Sequence, residues 1–101
     1  MEFRVSYLPL AMTKLRRIEE RAKELGILDR ILADYKEIES RLNSDPRTFG
    51  NLSHQFQQMK MQAYVGIAIP IVVHYGVHDE APVVIVRDVK VLSGWGMDDF
   101  D

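Results

Sequence analysis

A chain of 101 residues with 47% apolar content is long enough to bury one hydrophobic core and too short for two domains of ordinary size. It contains no cysteine, which excludes disulfides, thiolate metal sites and cysteine nucleophiles. The 13 Lys and Arg against 15 Asp and Glu give a net charge of −2, which disfavours nucleic-acid binding because phosphate recognition needs several cations acting together.

The first 45 residues predict one strand and two helices. Apolar and polar side chains alternate in Glu2–Tyr7, as expected of a strand. Apolar residues recur at steps of three and four in Pro9–Leu25 and again in Leu28–Asp45, which predicts two amphipathic helices. Gly26 between them suits the left-handed conformation that ends many helices. Two apolar seams joined by so short a link predict an antiparallel helical hairpin.

The segment after the hairpin begins with a proline that ends the helix and continues as a polar stretch. Pro46 ends the second helix because it lacks a backbone donor and pushes the preceding residue out of the helical region. Residues Arg47–Asn51 are interpreted as a turn. The Gln-rich segment Leu52–Met59 is interpreted as a linker with room for one helical turn.

The second half predicts a three-stranded antiparallel meander. Its strands are Lys60–Ile67, Ile71–Val77 and Val83–Val91, separated by short connections that contain Pro70 and Pro82. The N-terminal strand can be added at an edge of the sheet or beside the last strand. The later strands are apolar on both faces, as expected if one face meets the helices and the other lines a groove.

These segments predict a single domain over residues 1–93 and an acidic tail over residues 94–101. No apolar stretch approaches the roughly 18 residues that a membrane span requires, so we expect a cytoplasmic protein without membrane attachment. The tail mixes Trp95 and Phe100 with three aspartates. Two interpretations stay open: the tail folds over the groove or docks on a partner, or it is disordered like many chain termini.

The order β-α-α-β-β-β resembles that of the RelE/ParE toxin superfamily, which includes plasmid-stabilisation toxin–antitoxin modules. Leu42-Asn43-Ser44-Asp45-Pro46 closing the hairpin and the strand pair in Ile71–Leu92 carry the resemblance. It implies an α+β fold, with the helical hairpin on one face of a small curved antiparallel sheet and a concave groove on the other. The ribonuclease branch of that superfamily cleaves messenger RNA in the ribosomal decoding site, whereas the ParE-like branch acts on DNA gyrase.

Several positions depart from the ribonuclease pattern. Lys60 falls where the ribonucleases place basic residues, but Val72 and Leu92 fall where arginines are expected. No Tyr or His follows His78 to act as an acid or base near the C-terminus. Since loss of one oxyanion-stabilising donor costs about 3 kcal/mol, these departures argue against an active ribosome-dependent ribonuclease.

Arg87 and His74 are the most informative candidate site residues. Arg87 interrupts an apolar run and is expected to share a strand face with Ile85 and Val89, where it contacts an anion or partner; the alternative is an edge arginine paired with Asp88 or Glu80. His74 and His78 do not predict a metal site, because four residues of strand span roughly 13 Å. His74 is either a proton-transferring groove residue or a structural histidine.

The sequence therefore assigns no complete catalytic set, no metal and no cofactor. The nearest catalytic candidates are His74, Tyr75 and Arg87. The residues predicted to line the groove or bind a partner are Lys60, Tyr64, Arg87, Lys90 and Trp95.

The leading hypothesis is a toxin-like component of a toxin–antitoxin module that acts by protein binding, without the usual ribonuclease residues. An antitoxin is the expected partner; a homodimer is the next expectation, and binding to nucleic acid or the ribosome is less favoured. An atypical ribosome-associated endoribonuclease using Lys60, His74, Tyr75, Arg87 and Lys90 stays open, as does a degenerate member with no toxicity.

Overall fold

The structure, a computed structural model, describes residues 2–56 and 60–92. It has a five-stranded mixed sheet in the order β1-β5-β4-β3-β2, with a helical hairpin packed on one face. In chain order the elements are β1 (Arg4–Tyr7), α1 (Pro9–Glu24), α2 (Leu28–Ser44), α3 (Pro46–Phe49), β2 (Asn51–Phe56), β3 (Met61–Ala68), β4 (Ile71–His78) and β5 (Val83–Val91). Within the described ranges, no helix is long and apolar enough to cross a membrane.

The α+β fold class predicted from the sequence is confirmed, with one correction to the sheet. β1 lies beside the last strand, as one of the two predicted placements had it, but it runs parallel to β5 while the other strand pairs are antiparallel. The sheet is therefore mixed rather than antiparallel. Parallel strands need a long connection between them, and here the helical hairpin and strands β2 to β4 lie between β1 and β5 in the chain.

The linker predicted over Leu52–Met59 is wrong for its first part, since Asn51–Phe56 form β2 at the edge of the sheet. An edge strand does not need to be apolar on both faces, so it can carry polar residues. This segment therefore lacks the hydrophobic signal of a central strand. A bulge between Leu52 and His54 further breaks its alternation. The first three residues of the turn predicted over Arg47–Asn51 belong instead to the short helix α3, Pro46–Phe49.

The helices bury the two predicted seams. The buried residues of the hairpin are Ala11, Leu15, Ile18 and Ala22 on α1 and Ile31, Tyr35, Ile38 and Leu42 on α2. They pack against alternate residues of β4 and β5, and Gly26 between the helices has a left-handed φ of 75°. All of this core lies on one side of the sheet. We call the opposite side, which no helix covers in the described part of the chain, the open face.

A β-bulge in β5 decides which side chains reach the open face. Tyr75 pairs with Val86 and His74 pairs with Asp88, so Arg87 is an extra residue. Beyond it the alternation is inverted, and Val86 and Val89 are both buried in the core. The prediction that Arg87 shares a face with Val89 is therefore wrong, because it assumed an uninterrupted strand.

Candidate functional site

The open face holds an apolar groove between the end of β1 and the middle of the sheet. Its volume is about 340 Å³. We define the apolar groove by the residues Leu8, Met61, Ala63, Gly76 and Ile85; Gln62 and Arg87 also line it. A concave, mostly apolar surface with a few polar groups at its rim is the usual form of a binding site.

The floor of the groove depends on a glycine. A Cβ added at Gly76 would lie 2.7 Å from the Met61 Cε atom, so the Met61 side chain lies directly over this position. Met61 and Gly76 lie on adjacent antiparallel strands. Glycine within a strand often marks such a close approach, and here it lets a flexible methionine line the groove.

Next to the groove lies a basic cluster, which we define as Lys14, Arg87 and Lys90 around His74 and Asp88. Lys14 reaches over from α1, and its Nζ lies 2.7 Å from Asp88 Oδ1. Burial disfavours the ionised form of Asp88, but the hydrogen bond and charge of Lys14 outweigh it and hold the Asp88 pKa below its usual value. The cluster thus keeps one ionised carboxylate among three cations.

His74 lies at the centre of this cluster, paired in register with Asp88 on one side and Val65 on the other. Burial lowers the pKa of His74 below its usual value, and Lys90 adds to the effect. Asp88 opposes the shift, whereas Arg87 and Lys14 reinforce it. A lowered pKa leaves the imidazole neutral near pH 7, with one ring nitrogen able to accept a proton.

The structure brings together three of the sequence-predicted residues and separates others from them. His74, Arg87 and Lys90 share the open face. Tyr64 and Tyr75 do not, because both are buried on the helix side, where their rings stack with centroids 5.5 Å apart. The prediction of Tyr64 as a groove residue is corrected, and the catalytic candidate Tyr75 also lies away from the groove. The strands are apolar on both faces, so alternation alone did not indicate which face meets the helices.

Lys60 lies at the far end of the sheet from His74. It precedes β3 in a turn with φ of 52°, and its Nζ lies 3.1 Å from Glu80 Oε1 in an exposed ion pair.

His78 contributes to a turn rather than to the cluster around His74. Its Nδ1 accepts hydrogen bonds from the backbone N–H groups of Glu80 and Ala81 at 3.1 and 3.0 Å. Across residues 2–56 and 60–92, no group of three or more His, Cys, Asp or Glu side chains could hold a metal ion. Trp95 and the acidic tail lie outside the described residues.

Sequence reasoning missed Leu8, Lys14 and most of the apolar groove. Leu8 stands between β1 and α1, and it reaches the groove only because β1 lies beside β5. Lys14 looked like one of many solvated helix charges. Gly76, inside an otherwise apolar strand, was the one local signal of a close approach.

A helical hairpin on one side of a five-stranded sheet, with a groove on the open face, defines an α+β protein with a RelE-like fold. The fold is shown by a chain of the crystal structure of an archaeal RelE–RelB complex from Pyrococcus horikoshii OT3. The two align over 93% of this chain and 99% of the other, with a TM-score of 0.60 and 14% sequence identity. No family model matches the sequence, and no curated protein matches it.

Proposed function

We propose that this chain is the toxin-like component of a toxin–antitoxin module, that it acts by binding proteins, and that an antitoxin is its stable partner. The observation that carries the proposal is an apolar groove on the open face of a RelE-like fold. The structurally similar RelE chain comes from a RelE–RelB complex. An antitoxin segment that covers this groove would make a comparable complex here.

The groove supports protein binding because it leaves apolar side chains in contact with water. Leu8 is exposed, Ile85 is half-buried, and Ile67 further along the same face is 52% exposed. Fully burying one such side chain contributes about 1.5–3 kcal/mol. An amphipathic helix or an extended strand that places two or three apolar anchors here would gain enough free energy for a stable complex.

The charged residues at the rim support a specific orientation of that partner. Arg87 lines the groove and Lys90 lies farther along β5, opposite Val72, so carboxylates on an antitoxin that covers the groove and the strand beyond it would face these cations. Charges at the rim of an interface act mainly on association rate and specificity. In this proposal the groove supplies affinity and the basic cluster supplies orientation.

Replacing Ile85 by Glu is expected to weaken antitoxin binding by roughly tenfold or more, because an unpaired carboxylate in a covered apolar groove is costly. The binding partner for the measurement is the product of the open reading frame next to the gene, titrated calorimetrically. Leu32→Glu is the matched control, since Leu32 is an exposed leucine on α2, on the helix side of the sheet.

Equal weakening by both variants, or weakening by Leu32→Glu alone, would place the interface on the helices and contradict the groove. Absence of any complex with the neighbouring product would count against the antitoxin itself.

A second candidate function, an atypical endoribonuclease, is favoured by the neutral His74 among Arg87 and Lys90. A neutral imidazole could accept a proton from a ribose hydroxyl while the cations face the phosphate. Tyr75 is excluded from this catalytic set because it lies in the core, and Lys60 is excluded because it lies at the far end of the sheet from His74.

Controlled expression in bacteria, with growth and messenger RNA cleavage followed together, separates the candidates. Growth arrest with intact RNA is the result expected of a protein-directed toxin. Arrest with codon-phased cuts that disappear in His74→Ala or Arg87→Ala would instead support the ribonuclease. Normal growth would point to a degenerate member without toxicity.

A further inference from the structure

Apolar side chains on the open face continue from the groove along β3. Met61 and Ala63 line the groove, and the alternation of the strand brings Val65 and Ile67 to the same face. Val65 is half-buried and Ile67 is 52% exposed. We call these four residues the apolar strip, which spans roughly 20 Å from Met61 to Ile67. Contiguous exposed apolar surface of this kind marks an interaction site.

The basic cluster runs beside the apolar strip, on β5. In the register of the sheet Ile67 is opposite Val72, and Val72 is opposite Lys90. Two strand spacings, roughly 10 Å, therefore separate the strip from Lys90. Arg87 is nearer the groove and lines it. The open face thus has an apolar side on β3 and a charged side on β5.

The charge on the β5 side is positive although the chain as a whole is not. The basic cluster sets Lys14, Arg87 and Lys90 against the carboxylate of Asp88, which Lys14 Nζ contacts at 2.7 Å. The whole chain has a net charge of −2. A partner that brings carboxylates to β5 would gain a local attraction that the net charge does not provide. Opposite charges across an interface fix the orientation and specificity of a partner.

The geometry of a sheet face favours a helix over an extended segment as the partner. The backbone groups of β4 pair with β3 on one side and with β5 on the other, so the open face presents side chains to a partner. An extended segment laid on this face would bury backbone N–H and C=O groups without partners, which costs free energy. A helix pairs those groups within itself, and a helix packed on a sheet is a common two-layer arrangement.

The dimensions of the open face set the length and the charge spacing of such a helix. A strip of roughly 20 Å matches about 13 residues of α-helix. Arg87 and Lys90 are three residues apart on β5, and the bulge shortens the roughly 10 Å that a regular strand would span. One to two helical turns cover this distance, so carboxylates about four to seven residues apart on one flank of the helix would face the two cations.

We infer that the open face binds an amphipathic helix of about 13 residues that carries carboxylates along one flank. Its apolar side chains cover the apolar strip and the groove, and its carboxylates face Arg87 and Lys90. The identification of this helix with a segment of the antitoxin rests on the proposed function, whereas the fit between helix and surface does not.

Three synthetic peptides of equal length test this inference on the full chain. The first is a helix with a stripe of leucines, glutamates on one flank and glutamines elsewhere. The second has lysines in place of the glutamates, and the third is the first with two central residues replaced by proline. Fluorescence anisotropy of a label on each peptide gives its affinity. The glutamate peptide is expected to bind roughly tenfold more tightly than either of the others. General attraction to a chain of charge −2 would favour the lysine peptide instead, so this preference reports on the basic cluster.

Arg87→Glu is expected to remove most of the preference for the glutamate peptide over the lysine peptide. Arg16→Glu makes the same charge change at an exposed position of α1 and should leave the preference unchanged. Ile67→Glu is expected to weaken binding of the glutamate peptide by roughly tenfold, because it places a carboxylate on the apolar strip. Ile67 is exposed, so this variant should keep the fold, which circular dichroism checks.

Equal binding of the proline peptide would overturn the inference in favour of an extended partner. Equal or tighter binding of the lysine peptide would contradict it, and so would an affinity for the glutamate peptide that Ile67→Glu leaves unchanged. A doubled mass of the chain alone, returned to that of the monomer by Ile67→Glu, would assign the face to a second copy. No antitoxin enters these measurements. Binding of the glutamate peptide without any complex with the neighbouring gene product would therefore contradict only the proposed function.

Discussion

Replacing Tyr75 by Ala is expected to lower the free energy of unfolding by about 3–5 kcal/mol, as for other buried aromatic residues truncated to Ala. Tyr75 is fully buried, and its ring stacks on Tyr64 at 5.5 Å and on Phe49 at 6.2 Å between centroids. Its hydroxyl donates a hydrogen bond of 2.5 Å to the Pro46 carbonyl. Truncation leaves a cavity in this stack and removes the hydrogen bond, and urea unfolding followed by circular dichroism measures the sum.

Tyr75→Phe is the matched control, because it keeps the ring and removes only the hydroxyl. The expected loss is about 1–2 kcal/mol, since the Pro46 carbonyl is left buried without its donor. If Tyr75→Ala cost no more than Tyr75→Phe, the stack would contribute nothing and the placement of Tyr75 in the core would be contradicted.

The same variant tests Tyr75 as a catalytic candidate. Burial raises the pKa of Tyr75 above its usual value, although the Gly50 backbone opposes the shift. A buried hydroxyl that is already engaged with Pro46 is poorly suited to proton transfer. Folded Tyr75→Phe protein should therefore retain whatever effect the chain has on growth.

Replacing Gly50 by Ala is expected to lower the free energy of unfolding by about 1–3 kcal/mol, the usual cost of overpacking a close-packed site. An added Cβ would lie 2.5 Å from the Tyr75 hydroxyl oxygen and 2.8 Å from the Val65 carbonyl oxygen. The Gly50 backbone is extended, with φ of −103°, so the effect is steric and owes nothing to a left-handed conformation. The carbonyl belongs to β3 and cannot yield without moving the strand.

Gly26→Ala separates steric from conformational effects. Gly26 has φ of 75° and no heavy atom within 4 Å of an added Cβ, so its cost is expected to be roughly 1–2 kcal/mol from backbone conformation alone. A second check is the double variant: Gly50→Ala should cost less in the Tyr75→Phe background, where the hydroxyl contact is gone. Additive effects of the two changes would contradict the contact between Gly50 and Tyr75.

Tyr75 and its neighbour His74 matter for the candidate site because they connect it to the rest of the fold. Tyr75 ties β4 to the segment that joins α2 to β2, and His74 precedes it on the same strand with its side chain on the opposite face. A rearrangement around Tyr75 would move His74 relative to the basic cluster. Stability and function are thus coupled through adjacent residues of one strand.

The helical hairpin could be predicted almost completely from the sequence. Its bounds differ from the prediction by one residue at each C-terminal end, and all eight buried hairpin residues belong to the predicted seams. The three late strands were likewise placed to within one residue at each end. Periodicity of apolar side chains is a local property, so each such segment carries its own signal.

The candidate site was predicted less well. His74, Arg87 and Lys90 were found because polar residues stand out in apolar strands, and the structure places them on one face. Tyr64 was assigned to the wrong face, and the catalytic candidate Tyr75 lies in the core. Leu8 and Lys14 were missed, because each reaches the site through a contact between elements distant in the chain.

Local side-chain spacing in this chain was enough to establish the helical hairpin and the late strands. Only the tertiary structure decided that Asn51–Phe56 add an edge strand, that β1 runs parallel to β5, and that a bulge at Arg87 inverts the alternation of β5. Strand pairing and bulges depend on partners far along the chain, and strands that are apolar on both faces do not specify which face the helices cover. The open face, with its groove and basic cluster, follows from those long-range choices.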